Sequence, residues 1–345
     1  MTSLRTAAPA GFFIGTAVAG AGHLFYGGSN LGIDPFANDV RLREIIAADF
    51  NSLTPENQGK WEYAQPERGR FDFADFDAVV DYAEANGQRV RGHTLFWHNQ
   101  NPQWLLDLFA PGAASDEELR DILREYITKV VGRYAGRIAS WDAANEVFND
   151  EAKYRTDRNP WLARFGPTII ADVFRWAHAA DPACTLILND YNIERLNPKS
   201  DAYYALCQEL LADGVPLGGF GFQGHFTLNS GLGFADDLQA NMERFAALGL
   251  DVEITELDVR MNVAEDGSPA SADDIAKQAN WYRRVFAACL AVPRCTGVTL
   301  WGVGDAYSWI PSLFPGEGYA TLWDDTLAEK PLYAMVRGLL ADGRR

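Results

Sequence analysis

Short apolar runs recur along the chain at 12–18, 50–55, 89–97, 138–146, 185–191, 219–225, 251–259 and 297–303, each followed by a stretch with helical apolar spacing. Runs of that length, rich in β-branched and aromatic residues and bounded by turn residues, predict strands. The helices carry their own start and stop signals. Ser115 with Glu118 reads as a capping box opening DEELRDILREYITKVV, the pattern over 201–211 stops before Asp213 and Gly214, and that over 272–290 stops before Pro293. Strands alternating with helices imply a parallel sheet, and eight such units without a Pro- or Ser-rich linker predict a closed (β/α)8 TIM barrel rather than an open doubly wound sheet. Residues 1–345 are expected to form a single domain, with 1–10 as a short N-terminal extension.

The N-terminus admits two readings. Arg5 and the following AAPAGFFIGTAVAG have the charge, the short apolar stretch and the Ala-Val-Ala of a secretory signal with its cleavage site. The competing reading, which we prefer, takes FFIGTAV as the first core strand, aromatic and β-branched and ended by glycines.

Composition narrows the partners. No apolar run is long enough to span a bilayer, so no membrane association is expected. The net charge of −17 and the lack of a Lys- or Arg-rich block speak against nucleic acid, whose phosphates need cations. Ten Trp and thirteen Tyr suit either a large core or flat platforms for an uncharged ligand, and composition alone does not separate these.

Barrels of this kind place their active sites at the C-terminal ends of the strands. Nearly every predicted strand here ends in polar residues: TPEN, GHTLFWHNQ, WDAANE, LNDYN, GFQGH, ITELD and WGVGD. One or two would be ordinary caps and turns. Glu146 closes the fourth strand and Glu256 the seventh, from opposite halves of the ring, so their side chains can meet across its mouth. Each alone could be a helix N-terminal acid or a rim ion pair. Together they are better read as catalytic, because two close carboxylates cannot both ionise freely and can divide the work of acid and nucleophile. That is the equipment for breaking a glycosidic bond. Asp258, two residues on, shares a face with Glu256 on a regular strand, and His225 can bridge to both. A carboxylate bonded by a histidine that an aspartate orients has its charged form favoured, which marks Glu256 as the nucleophile. Asn145, beside the acid, can donate to a sugar hydroxyl or be a plain turn residue.

Other chemistries find no support. Gly20 and Gly22 resemble the start of a dinucleotide loop, but no third glycine follows at the required place, where Phe25 stands, so no nicotinamide site and no other cofactor is expected. His93 and His98 stand five apart, which on a strand sends them to opposite faces, and no Cys-x-x-Cys or His-Glu-x-x-His occurs, so no metal is expected. Neither a Gly-x-Ser-x-Gly elbow nor a phosphate loop is present.

With WDAANE, ITELD and WGVGDAYSW at these separations, the chain resembles the family-10 glycoside hydrolases, the endo-β-1,4-xylanases, from residue 12 to about 338. The resemblance implies a retaining hydrolase of internal xylan linkages, with Glu146 as acid/base and Glu256 as nucleophile. It also implies that Glu56, Asn57 and Lys60 of PENQGKW hold the sugars on the non-reducing side, with His93, Trp97 and Gln100. Asn145, Gln223 and His225 match contacts around the reacting sugar and the nucleophile, Trp301 and Trp309 match aromatic walls, and Asn189 and Tyr191 match the family's NDYN stretch. Gly59 stands where the family usually has methionine, and Ala143 and Ala144 replace bulkier residues before the acid, departures that touch packing more than chemistry. The spacing of Cys289 and Cys295 matches a family disulfide, against the alternative of free buried thiols, and a bridge would imply an oxidising compartment, so a secreted or periplasmic protein. Cys184 and Cys207 are expected to stay unpaired. The expected partners are xylan and xylo-oligosaccharides, bound by a monomer. Two other readings remain: a sister barrel glycanase acting on cellulose or mannan, and an inactive carbohydrate-binding protein.

Overall fold

In a computed structural model, residues 2–20, 34–229, 235–269 and 271–343 are described. Gly22, weighed above as part of a dinucleotide loop, lies outside them. Eight strands, β1 (Phe13–Val18), β2 (Ser52–Pro55), β3 (Arg89–Gly92), β4 (Ser140–Asn145), β5 (Thr185–Asp190), β6 (Gly219–Phe222), β7 (Asp251–Asn262) and β8 (Cys295–Leu300), pair in order and all in parallel. β8 returns to β1, with Phe13 opposite Gly297 and Thr16 opposite Leu300, which closes the (β/α)8 barrel. Residues 13–18 are therefore a core strand paired on both edges. β1 is buried almost throughout, as a strand covered on both faces must be.

The helices form for the reasons their sequences suggest. In Asp116–Arg133 the buried positions Leu119, Leu123, Tyr126, Ile127, Val130 and Val131 fall on one face, acids fill the first turn, and Arg133 sits in the last. Only half of the expected capping box forms there. Ser115 Oγ accepts from the Glu118 amide at 3.1 Å, but the Glu118 carboxylate turns outward to Arg68, 2.7 Å away. An ion pair competes successfully for the same oxygen.

Several strands end earlier than the apolar runs suggest, and the early endings shape the site. β3 stops at Gly92, and residues 94–96 bond irregularly to β4 through Leu95 N to Asp142 O and Asn145 N to Phe96 O. The run at 219–225 is broken by Gly224, whose φ of +80° suits glycine, into β6 and a short strand, His225–Thr227, lying along the outer half of β7. At Gly92 an added Cβ would come within 2.2 Å of the buried Trp141 ring, so the glycine is the space Trp141 occupies. Gly59 is similar: a Cβ there would meet His93 O at 2.7 Å and the Phe76 ring at 3.1 Å, so the volume of the expected methionine is already filled by other groups.

Cys289, near the end of helix Ala272–Ala291, and Cys295, the first residue of β8, form a disulfide, while Cys184 and Cys207 are buried and free. Thiol titration of the denatured, unreduced protein should therefore find two reactive groups, and four would contradict the bridge. Gly92→Ala should destabilise the fold by about 1–3 kcal/mol through overpacking against Trp141, read as a lowered midpoint in urea; an unchanged midpoint would contradict the tight fit.

Candidate active site

The rim of the barrel encloses a cavity of about 510 Å³. Glu56, Asn57, Lys60, His93, Trp97, Asn145, Glu146, Tyr191, Gln223, His225, Glu256, Trp301 and Trp309, from all parts of the sequence, line it together. Gln100 and Asp258 do not reach the wall. Each stands behind a residue that does.

A one-residue irregularity lies just before Glu146, and another spans Glu256. Between Asp142 and Ala144 the ladder of β4 with β5 skips a residue, and between Ile254 and Leu257 the ladder of β7 with β8 skips another. Bulges of this kind re-aim the side chains that follow. Glu146 itself is left-handed, with φ +55°, a conformation that costs a non-glycine residue roughly 1–3 kcal/mol unless its surroundings fix it. Its amide donates to Asn189 O at 2.9 Å, and Arg155 Nε donates to its carbonyl at 3.0 Å. The carboxylate accepts from Trp97 Nε1 at 2.9 Å on one oxygen and from Gln223 Nε2 at 3.0 Å on the other. The Asn145 amide accepts from Asn189 Nδ2 at 2.9 Å; rotated, it would accept from Trp97 Nε1 at 3.2 Å but set its NH2 against that of Asn189, so the first orientation is preferred.

Glu256 is buried and fully bonded. Asn189 Nδ2 donates to Oε1 at 2.8 Å, and His225 Nε2 lies 3.2 Å from Oε2. The other ring nitrogen of His225 is 2.9 Å from Asp258 Oδ2, which also receives the Trp309 indole N–H at 2.9 Å. Burial works to raise the Glu256 pKa, but the His225 hydrogen bond and the nearby charges of His93, His225 and Arg91 outweigh it and bring the value down to about 2. His225 moves the opposite way. Burial works to lower it, yet Asp258 and Glu256 hold its proton and raise it to about 10. The trio is thus an imidazolium between two carboxylates.

Across the cavity, Lys60 Nζ donates to Asn57 Oδ1 at 2.9 Å and to Gln100 Oε1 at 2.7 Å, while Gln100 Nε2 donates to Asn57 at 3.0 Å. Burial lowers the Lys60 pKa to about 8 against the pull of Glu56 and other carboxylates. His93 Nδ1 lies 2.7 Å from Asp142 Oδ2, and its ring meets the edge of Trp301 at 5.2 Å. His93, Asp142 and Glu256 bring ligand atoms within 4.8 Å of one another, but each of their carboxylate oxygens already accepts a hydrogen bond, from Arg91 and His93 or from Asn189 and His225. The set is a hydrogen-bonded ion network. His93 and His98 do not point to opposite faces as the strand reading implied. Because β3 ends at Gly92, the chain from 93 onward is irregular and both rings reach the cavity.

Asn189, matched above to the NDYN stretch without a stated role, donates to both Asn145 and Glu256. The structure also adds residues that the sequence reading passed over. Arg155 and Arg158 from a loop, Arg260 from the outer end of β7, and Leu313 and Phe314 from a short helix and its end also line the cavity, as do Asn99 and Asn192 within the polar strand ends quoted above.

A barrel with two carboxylates facing one aromatic-walled cleft, one of them kept charged, belongs by class to the glycoside hydrolases. Residues 6–339 match the model of glycosyl hydrolase family 10, and the chain belongs to that family. It is 39% identical to the endo-1,4-beta-xylanase B of Thermotoga neapolitana over 92% of this chain and 88% of the relative. It is also 39% identical to an endo-1,4-beta-xylanase of Agaricus bisporus, over 83% of this chain and 82% of that one. Among solved structures, xylanase 10B from Thermotoga petrophila in complex with xylobiose superposes with a TM-score of 0.88 at 38% identity, covering 99% of this chain and 98% of that one.

These charge states have consequences for pH. Glu256 falls from an ordinary 4.5 to about 2, so its contribution to stability is full above 4.5 and is lost as pH falls through 2. His225 rises from 6.5 to about 10, so its contribution is full below 6.5 and is lost as pH rises through 10. Replacing His225 by Asn should move the acid limb of the kcat/KM profile to higher pH, because burial then acts on Glu256 with less opposition. An unmoved limb would contradict this account of the Glu256 charge.

Proposed function

We propose that this protein is an endo-1,4-β-xylanase that cleaves internal linkages of xylan by double displacement, with Glu256 as nucleophile and Glu146 as acid/base. The observation that carries the assignment is the asymmetry of the two carboxylates. Glu256 is locked in its charged form by His225, whereas Glu146 is held by the neutral donors Trp97 and Gln223 at the cleft wall. The charged Glu256 attacks the anomeric carbon as Glu146 gives its proton to the leaving oxygen; water, deprotonated by Glu146, then attacks the same carbon, which frees the sugar and returns Glu256 to a carboxylate. Trp301 and Trp309 supply flat faces for the pyranose rings, and Asn57, Lys60 and His93 supply donors for their hydroxyls. The xylanase relatives and the xylobiose complex of the Thermotoga petrophila enzyme support xylan over cellulose or mannan. The Cys289–Cys295 bridge supports a working place in an oxidising compartment, outside the cytoplasm.

Turnover on xylan should far exceed that on cellulose, and proton NMR of a fresh xylo-oligosaccharide digest should show the β-anomer first. An initial α-anomer would mean inversion and would remove Glu256 from its role. Glu256→Gln should abolish turnover on every substrate. Glu146→Gln should slow xylan cleavage by about 10²–10⁴-fold while sparing the first step on an aryl glycoside whose phenol leaves unprotonated; equal loss on both would contradict the acid role.

A further inference from the structure

The turn that presents Glu146 is held from behind by Tyr203 and Asp190, which do not line the cavity. Glu146 is left-handed, and the two amides that follow it, Val147 N and Phe148 N, point to one atom, the hydroxyl oxygen of Tyr203, at 2.9 and 3.4 Å. Tyr203 is fully buried on helix Pro198–Ala212, and its ring packs edge-on against Phe148 and Phe220 at 4.8 and 5.4 Å. Having accepted from the turn, the hydroxyl donates to Asp190 Oδ2 at 2.5 Å. Asp190 ends β5, and its other oxygen accepts from Lys199 Nζ at 3.0 Å and from Tyr191 N at 2.7 Å. Burial pushes the Asp190 pKa up to about 7 against the pull of Lys199 and Tyr203, with the Glu146 carboxylate adding to the rise, so the carboxylate depends on both partners for its charge.

A carboxylate hydrogen-bonded to a phenol makes the phenolic oxygen a stronger acceptor for the two amides. Those amides set the pivot of the turn, and the pivot sets how far the Glu146 carboxyl group extends toward a bound sugar. We propose that Tyr203, anchored by Asp190, is a positioning residue for the proton-transfer step: it fixes the turn after Glu146 and thereby the reach of that carboxyl group to the leaving oxygen. The proposal rests on the assignment of Glu146 as acid/base made above. Arg155 joins the same support, holding Glu146 O through Nε and the Tyr191 hydroxyl through Nη2 at 3.1 Å, but it also lines the cavity, so Tyr203 is the cleaner residue to test.

Tyr203→Phe keeps the ring and its packing and removes only the shared hydroxyl. Two rates are read on wild type and variant: steady-state cleavage of xylohexaose, whose leaving sugar needs a proton, and the burst of dinitrophenolate from 2,4-dinitrophenyl β-xylobioside, which needs none. Since a misplacement of about 1 Å can cost 10²-fold, the variant should lose about 10–100-fold in kcat on xylohexaose with KM little changed, while the burst rate stays near wild type. A partly unfolded or generally loosened enzyme would lose both rates in proportion. That result, or no loss at all, overturns the proposal. Should Tyr203→Phe fail to fold, Asp190→Asn, which leaves the hydroxyl and removes the anchor's charge, is read by the same two rates with the same outcomes deciding. A wild-type protein that bursts on the aryl glycoside but leaves xylohexaose intact would instead overturn the functional assignment, and the proposal with it.

Discussion

The active site depends on a buried carboxylate that stays ionised. Taking a carboxylate out of water is costly unless charge and hydrogen bonds compensate, and an uncompensated one takes up a proton instead. Glu256 escapes this because His225 stands 3.2 Å away with its own proton secured by Asp258. Removing either support would leave the other exposed to the same cost, so the three groups act as a unit. Trp309 donates to Asp258 and also lines the cleft, which ties the unit to the wall that faces the substrate.

The barrel makes that unit possible by bringing distant segments to one rim at fixed spacing. His225 reaches Glu256 because Gly224 breaks the sixth apolar run and lets residues 225–227 pair with the outer half of β7, placing His225 opposite Asp258. The irregularity in β4 sits just before Glu146 and that in β7 spans Glu256, where a regular pleat would have continued the core alternation. Strain at Glu146 is balanced by its surroundings: Asn189 and Arg155 hold its own amide and carbonyl, and Tyr203 holds the two amides that follow. The backbone at and after Glu146 is thus tied by hydrogen bonds to three separate neighbours.

Much of this was legible in the sequence, for physical reasons that also mark its limits. Eight alternating strand and helix patterns specify the closed sheet, and polar residues at the ends of buried strands have few explanations other than chemistry. Glu146, Glu256, His225 and Asp258 were visible on that ground. The bulges were not, because a single skipped residue leaves no trace in an apolar run, and the reading of His93 and His98 as opposite-facing failed for the related reason that β3 ends at Gly92. Loop residues such as Arg155 and Arg158 were invisible because only tertiary packing brings them to the cleft. Glu118 was assigned to a cap by local rules and lost to Arg68 by a contact fifty residues away.

The central claim is that Glu256, charged in the resting protein, forms a covalent bond to the sugar. A 2-deoxy-2-fluoro xylobioside with an activated leaving group slows both steps and lets the intermediate accumulate, since the fluorine destabilises the positive charge that develops on the ring. Intact-mass and peptide analysis after such a reaction should find one sugar per chain, attached to the peptide that contains Glu256. A label on any other residue, or steady turnover of the parent substrate with no label at all, would contradict the account.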